Sequence, residues 1–300
     1  MAHPRQLMSR RELVSVATAA ACLMKTGTAA ATSRAEILAL PTADGRTTHV
    51  SIWRAVGWRR GTILFSHGAQ SAPGKYQPLT EPWTEAGFDV LCPLHVDSTD
   101  HPDTAHYQGL ASWAARIEDM RALAQHVKDP HYVAAGHSYG ALVALTLGGA
   151  TAVRPPGVLG PLRDPRVRAV LAFSPPGSTP TLIDAAGYAT LAVPALIQTG
   201  SRDIPPRAAA SDGWKQHLLA YDAAAAGGNR YALVLEGADH FFGGLICWLD
   251  QPGPPQRVQI ERAAELSVLF LNGYGAGKRI ARRALDSRLA DDGPTILRRK

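Results

Sequence analysis

Gly136-His137-Ser138-Tyr139-Gly140 sets a serine between two glycines with G-x-S-x-G spacing. It follows a short apolar run, Tyr132 to Ala135, and precedes a helical one, Ala141 to Leu147. A sharp strand-to-helix turn there would push the Ser138 oxygen out at the end of a sheet, because glycine lets neighbouring backbone come close. The helix N-terminus behind it would add partial positive charge where an oxyanion forms. That chemistry is acyl transfer, with Ser138 as nucleophile. A serine hydroxyl needs a base, and the base needs a carboxylate to hold its tautomer. In this chain order the acid and then the histidine should follow the serine. Asp203 closes the polar turn after the strand-like run Pro194 to Thr199, and His240 sits in the loop after Tyr231 to Leu235. Both would emerge beyond the carboxyl ends of parallel strands, where such sheets place ligands. The pattern therefore predicts Ser138, Asp203 and His240 as catalytic residues.

An oxyanion needs donors on the far side. The backbone N–H of Tyr139 supplies one, and the loop Phe65-Ser66-His67-Gly68-Ala69-Gln70 should supply the second, with Ala69 ahead of Gln70. The chain has 11 histidines, so most must be structural or on the surface. His137 is expected to brace the elbow through hydrogen bonds, and His67 to shape the loop. Asp239 reads as a turn group; Asp184 and Asp222 lack a strand end before them. Gln70, Tyr76, Phe241 and Trp248 are the expected substrate-binding side chains. Trp113 lies on an apolar helical stripe and reads as core.

The elements that must position these groups follow from apolar periodicity. Strands are predicted at 36–40, 48–55, 62–65, 88–92, 132–135, 167–173, 194–199 and 231–235. Helices are predicted at 78–86, 109–127, 141–147, 208–226 and 257–271. Strands separated by helical segments imply a mostly parallel sheet covered on both faces. Residues 174–193 are too few for a large helical lid, so the site should be open and take short acyl chains.

With its elbow, acid, base and oxyanion loop in this order, the chain resembles the α/β-hydrolase superfamily. Phe65-Ser66-His67-Gly68-Ala69, Tyr76 and Gly87-Phe88-Asp89-Val90-Leu91-Cys92-Pro93-Leu94-His95 are similar to the predicted dienelactone hydrolase and platelet-activating-factor acetylhydrolase-like branch. The resemblance runs from about 37 to 285. It implies a serine esterase on a mostly parallel eight-stranded α/β-hydrolase sheet without a large lid. Dienelactone hydrolases proper use a cysteine nucleophile, so Ser138 argues for ester hydrolysis over that lactone chemistry.

The 300 residues are 46% hydrophobic and 19% charged, a globular composition that excludes collagen-like and largely disordered chains. The net charge of +6 is misleading until divided. Residues 1–33 hold four basic groups and one acidic, and 278–300 hold eight and three, so 34–277 sum to 6 − 3 − 5 = −2. The body therefore offers no basic footprint for nucleic acid. Residues 1–33 have the layout of an export signal: a charged stretch, a short apolar run and small residues at a cleavage point. The Arg10-Arg11 pair resembles the twin-arginine type. The apolar run is about half the ~20 residues of a membrane span. The chain is thus expected to be exported, periplasmic or secreted, with a catalytic domain over 34–277. Residues 278–300 are expected to form a basic helix and frayed end. Cys92 and Cys247 would remain after cleavage, as a disulfide or as two separate buried thiols. No zinc-ligand spacing, P-loop or dinucleotide glycine pattern occurs, so no metal or cofactor is expected. The expected partner is a small-molecule ester. A serine peptidase or amidase, and a catalytically silent binding protein, share the fold and remain the alternatives.

Overall fold

The computed structural model describes residues 35–205 and 212–300. The expected export signal at 1–33 and the start of the helix predicted from 208 lie outside the described residues.

All eight predicted strands are present: β1 Glu36–Pro41, β2 Thr47–Trp53, β3 Gly61–Ser66, β4 Phe88–Pro93, β5 Tyr132–His137, β6 Val167–Phe173, β7 Ala195–Gly200 and β8 Arg230–Leu235. A ninth, β9 Thr295–Arg299, joins them, in the order β1-β2-β4-β3-β5-β6-β7-β8-β9. From β4 to β8 every neighbouring pair is parallel; β1, β2 and β9 run antiparallel. This is a mostly parallel α/β-hydrolase sheet. The expectation of eight strands with a frayed end is corrected to nine. Leu297 is buried against the apolar cluster that holds Leu233 and Leu285, while Arg298 and Arg299 pair with Asp291 and Asp286. The two arginines hid a strand alternation in what read as a basic tail.

The helices are α1 Gln77–Glu85, α2 Trp113–His126, α3 Tyr139–Leu147, α4 Ala185–Ala189, α5 Leu219–Ala223, α6 Arg257–Phe270 and α7 Arg279–Asp286. Two apolar clusters flank the sheet. One takes Ile117, Leu123, Leu142 and Leu145 from α2 and α3; the other takes Leu79 and Trp83 from α1 with Ile260, Leu266 and Phe270 from α6. Covered on both faces, the central strands are buried along their length: all six residues of β5, β7 and β8 are buried. Residues 174–193 carry only the five-residue α4, where a loop was expected. Residues 213–223 form a 3₁₀ turn followed by α5 instead of one long helix. Among the described residues no helix is long and apolar enough to cross a membrane. Cys92 and Cys247 are both free and buried, so the separate-thiol reading holds.

Candidate active site

Ser138 stands between β5 and α3 with φ 54° and ψ −120°, a strained conformation for a residue with a side chain. The two glycines explain how the turn fits. A Cβ on Gly136 would lie 2.2 Å from the Gly140 carbonyl oxygen, and one on Gly140 would lie 1.9 Å from that of Ser66. The elbow is therefore packed directly against the loop after β3, and only hydrogen side chains permit it.

Asp203 follows β7 and His240 follows β8. Backbone bonds stitch the two loops: Arg202 N–H donates to the Ala238 carbonyl (2.9 Å) and Gly237 N–H to Ser201 Oγ (2.9 Å). A Cβ on Gly200 would sit 2.2 Å from the Ala238 oxygen, so this crossing also needs glycine. The result brings His240 Nδ1 to 2.8 Å from Asp203 Oδ1. Asp203 is 1% exposed, and its Oδ2 accepts from the Thr199 hydroxyl at 2.9 Å. Burial would raise its pKa, but His240 and His217 outweigh that and hold it well below the usual carboxylate range. In a neutral ring, donation of Nδ1–H to Asp203 puts the lone pair on Nε2.

Ser138 and His240 line the same cleft, of about 500 Å³, with Ala69, Gln70, Phe241 and Trp248. Among the described residues no hydrogen bond joins the Ser138 hydroxyl to His240. Phe241 meets the His240 ring edge-on at 5.0 Å between centroids and stacks on Trp248 at 5.2 Å. Among the described residues the Ala69 and Tyr139 N–H groups find no acceptor. Tyr76 is a correction. It is fully buried behind the loop after β3 and does not line the cleft. Its oxygen accepts Gly68 N–H (2.8 Å) and its hydroxyl meets His137 Nδ1 (3.0 Å). Trp113 is core, stacked on Tyr139 at 5.9 Å. Asp239 is a turn group, accepting from Phe241 and Gly243 N–H.

Sequence reasoning missed His217. Its Nε2 lies 3.0 Å from Asp203 Oδ1, off a well-directed hydrogen bond, and its Nδ1 is 2.6 Å from the Pro175 carbonyl. Burial disfavours its charged form, yet Asp203 and the carbonyl raise its pKa above the ordinary value. Donor atoms of Asp203, His217 and His240 all lie within 4.8 Å of one another, a spacing a metal could use. The carboxylate contacts already account for all three. Ser174, also missed, follows β6 with φ 49°; its buried hydroxyl lines the cleft and has no partner among the described residues. Neither residue had a motif to mark it.

A second chain of the same residue types runs behind the loop. Ser66 Oγ is 2.8 Å from His95 Nε2, and His95 Nδ1 is 2.9 Å from Asp119 Oδ2. All three are fully buried, so no substrate can reach Ser66. Accessibility, not residue identity, separates the two sets.

The serine aminopeptidase family S33 (Hydrolase_4) matches residues 57–160, a stretch that includes the loop after β3 and Ser138 but stops before Asp203. An α/β serine hydrolase homologue from Coxiella burnetii is similar in structure, with 18% identity, 76% of this chain and 96% of that chain covered, and a TM-score of 0.54. Propionate-bound Thermogutta terrifontis esterase 2 gives 18%, 82%, 96% and 0.59. The same esterase phosphorylated by paraoxon gives 19%, 82%, 96% and 0.58. No curated protein matches the chain in sequence. The chain therefore has the α/β-hydrolase fold, and its residues 57–160 are similar to the serine aminopeptidase family.

Proposed function

We propose that the chain is a serine hydrolase that cleaves carboxylic esters of short acyl chains. The observation that carries this is the His240–Asp203 pair at 2.8 Å, bordering a cleft that Ser138 also lines. Ser138 attacks the ester carbonyl while His240 Nε2 takes its proton. Asp203 holds the imidazole and stabilises its charged form. The Ala69 and Tyr139 N–H groups face the developing oxyanion, where one such donor is worth about 3 kcal/mol. The alcohol leaves with the proton from His240, and water activated by the same ring releases the acid. Phe241 and Trp248 give the cleft an apolar wall, with Gln70 as a polar neighbour. A volume of about 500 Å³ and the lack of a long insertion at 174–193 favour small esters.

The S33 aminopeptidase match favours a second reading, an amidase or peptidase with the same triad. Wild type and Ser138→Ala, assayed on p-nitrophenyl esters of graded chain length and on aminoacyl p-nitroanilides, separate the two. The ester reading expects turnover of acetate and butyrate esters that Ser138→Ala abolishes. Cleavage of anilides alone would favour the amidase; equal turnover by the alanine variant would remove both. The proposal includes export directed by residues 1–33, and N-terminal sequencing of the protein from its producing cell tests it: an intact Met1 end contradicts it.

A further inference from the structure

Arg116 is a fully buried guanidinium on α2. Its Nε and Nη2 donate to the two oxygens of Asp97, both at 2.9 Å. The remaining fork is aimed at the loop after β3. Nη1 donates to the His67 carbonyl at 2.7 Å and more weakly to Ser66 Oγ at 3.4 Å, and Nη2 donates to the Gly68 carbonyl at 3.1 Å. The Gly68 oxygen has a second donor. His67 Nε2 accepts from His95 N–H at 3.0 Å, so in this neutral ring the proton is on Nδ1, which lies 2.8 Å from Gly68 O. Burial keeps His67 neutral.

The Gly68 carbonyl and the Ala69 N–H belong to one planar trans peptide and point in opposite directions. Two donors pin the carbonyl into the protein, and Ala69 borders the cleft beside Ser138. The flanking amides are tied too: Gly68 N–H to the Tyr76 oxygen and, at 3.4 Å, Gln70 N–H to Asp97. The guanidinium also lies 4.7 Å from the ring centroid of Tyr139, the residue carrying the other unpaired N–H.

We infer that Arg116, with His67, is a positioning residue that fixes the Gly68–Ala69 peptide so that Ala69 N–H meets the oxyanion. The inference rests on the ester-hydrolase reading above. A charged donor on the carbonyl also polarises the peptide and strengthens its N–H as a donor. A buried ion pair is weak evidence of stabilisation by itself; what distinguishes this one is that its spare donors hold two consecutive carbonyls of one loop.

The test compares wild type, Arg116→Lys and the charge-balanced double variant Arg116→Met/Asp97→Asn. Each is assayed for kcat and KM on p-nitrophenyl butyrate and for inhibition by a trifluoromethyl ketone, which forms an oxyanion adduct. The double variant is expected to lose roughly tenfold or more in kcat, against the 10²–10³-fold typical of deleting a donor outright. KM should stay within about twofold, and the ketone should weaken by about the same factor as kcat. Arg116→Lys keeps the charge but not the fork, so its loss should be intermediate. A folded double variant with wild-type kcat, or one changed only in KM, would overturn the inference. If the double variant does not fold, Arg116→Lys decides: wild-type kcat and ketone affinity overturn it. A wild-type protein that neither turns over the ester nor binds the ketone would instead remove the ester-hydrolase reading, and this inference with it.

Discussion

His137 Nε2–H donates to the backbone carbonyl of His240 at 2.9 Å, so the residue before the elbow serine holds the loop that carries His240. Burial and the neighbouring His240 push His137 down to about 3, which keeps it neutral. Its Nδ1 can then accept from the Tyr76 hydroxyl, whose oxygen in turn accepts Gly68 N–H. One hydrogen-bonded chain thus joins the β3 loop, the elbow and the histidine loop.

His137→Phe should break this chain while keeping a ring in the space. The Tyr76 hydroxyl and the His240 carbonyl would each lose a partner, costing about 1–3 kcal/mol per buried group. Chemical denaturation should register that loss, and kcat should fall more than KM rises because the base loop loosens. Wild-type stability and kcat in the variant would contradict the role given to His137.

Ser66→Ala tests the buried look-alike. Its removal takes a hydroxyl from His95 Nε2 and should cost about 1 kcal/mol of stability. Labelling of Ser138 by an active-site-directed phosphonate should persist. Loss of that label with the fold intact would mean that the Ser66–His95–Asp119 set takes part in the chemistry.

How much of this was legible beforehand depended on whether a feature is local. The parallel strands were readable because buried strands leave apolar runs such as Tyr231–Leu235, and β2 because its buried and exposed residues alternate. The elbow was readable because Gly136 and Gly140 mark a close approach that no other residue permits. Asp203 and His240 were readable from their places after strands. His217 was not, since its contact with Asp203 depends on how a 3₁₀ turn at Gly213–Leu218 returns over the carboxyl ends of β6 and β7. Tyr76 was misjudged because an aromatic near the oxyanion loop can stand in front of it or behind it, and spacing does not tell which. The strand β9 was obscured because its two arginines are neutralised by acids found only in the folded chain.

The Asp203–His217 contact predicts a pH window. His217 has its folded pKa raised above 6.5, so its contribution is fully present below that value and fades as pH rises through the folded pKa. Asp203 has its folded pKa depressed below 3.8, so its contribution is present above the unfolded value and is lost as pH falls through the folded one. The pair should therefore stabilise most between about pH 4 and 6.5. His217→Gln should lower stability there by about 2 kcal/mol, and the gap to wild type should narrow in alkaline buffer. Urea titrations at pH 5.5 and pH 9 check it; a gap that is constant or widens with pH would contradict the charged state given to His217.

Gly200→Ala should separate the acid loop from the histidine loop. The added Cβ would meet the Ala238 backbone at 2.2 Å, a clash that no side-chain rotation relieves. A stability loss of about 2 kcal/mol or more is expected, with a fall in kcat because Asp203 and His240 move apart. Thermal unfolding and ester kinetics on the same sample would show both, and a neutral substitution would refute the close crossing.

The central claim is that Ser138 carries the acyl group. Treating the protein with a fluorophosphonate and mapping the adduct by peptide mass spectrometry tests it most directly. A single adduct on the peptide containing Ser138, absent in Ser138→Ala along with ester turnover, is the predicted result. An adduct on another serine, or an alanine variant that still hydrolyses esters at the wild-type rate, would contradict it.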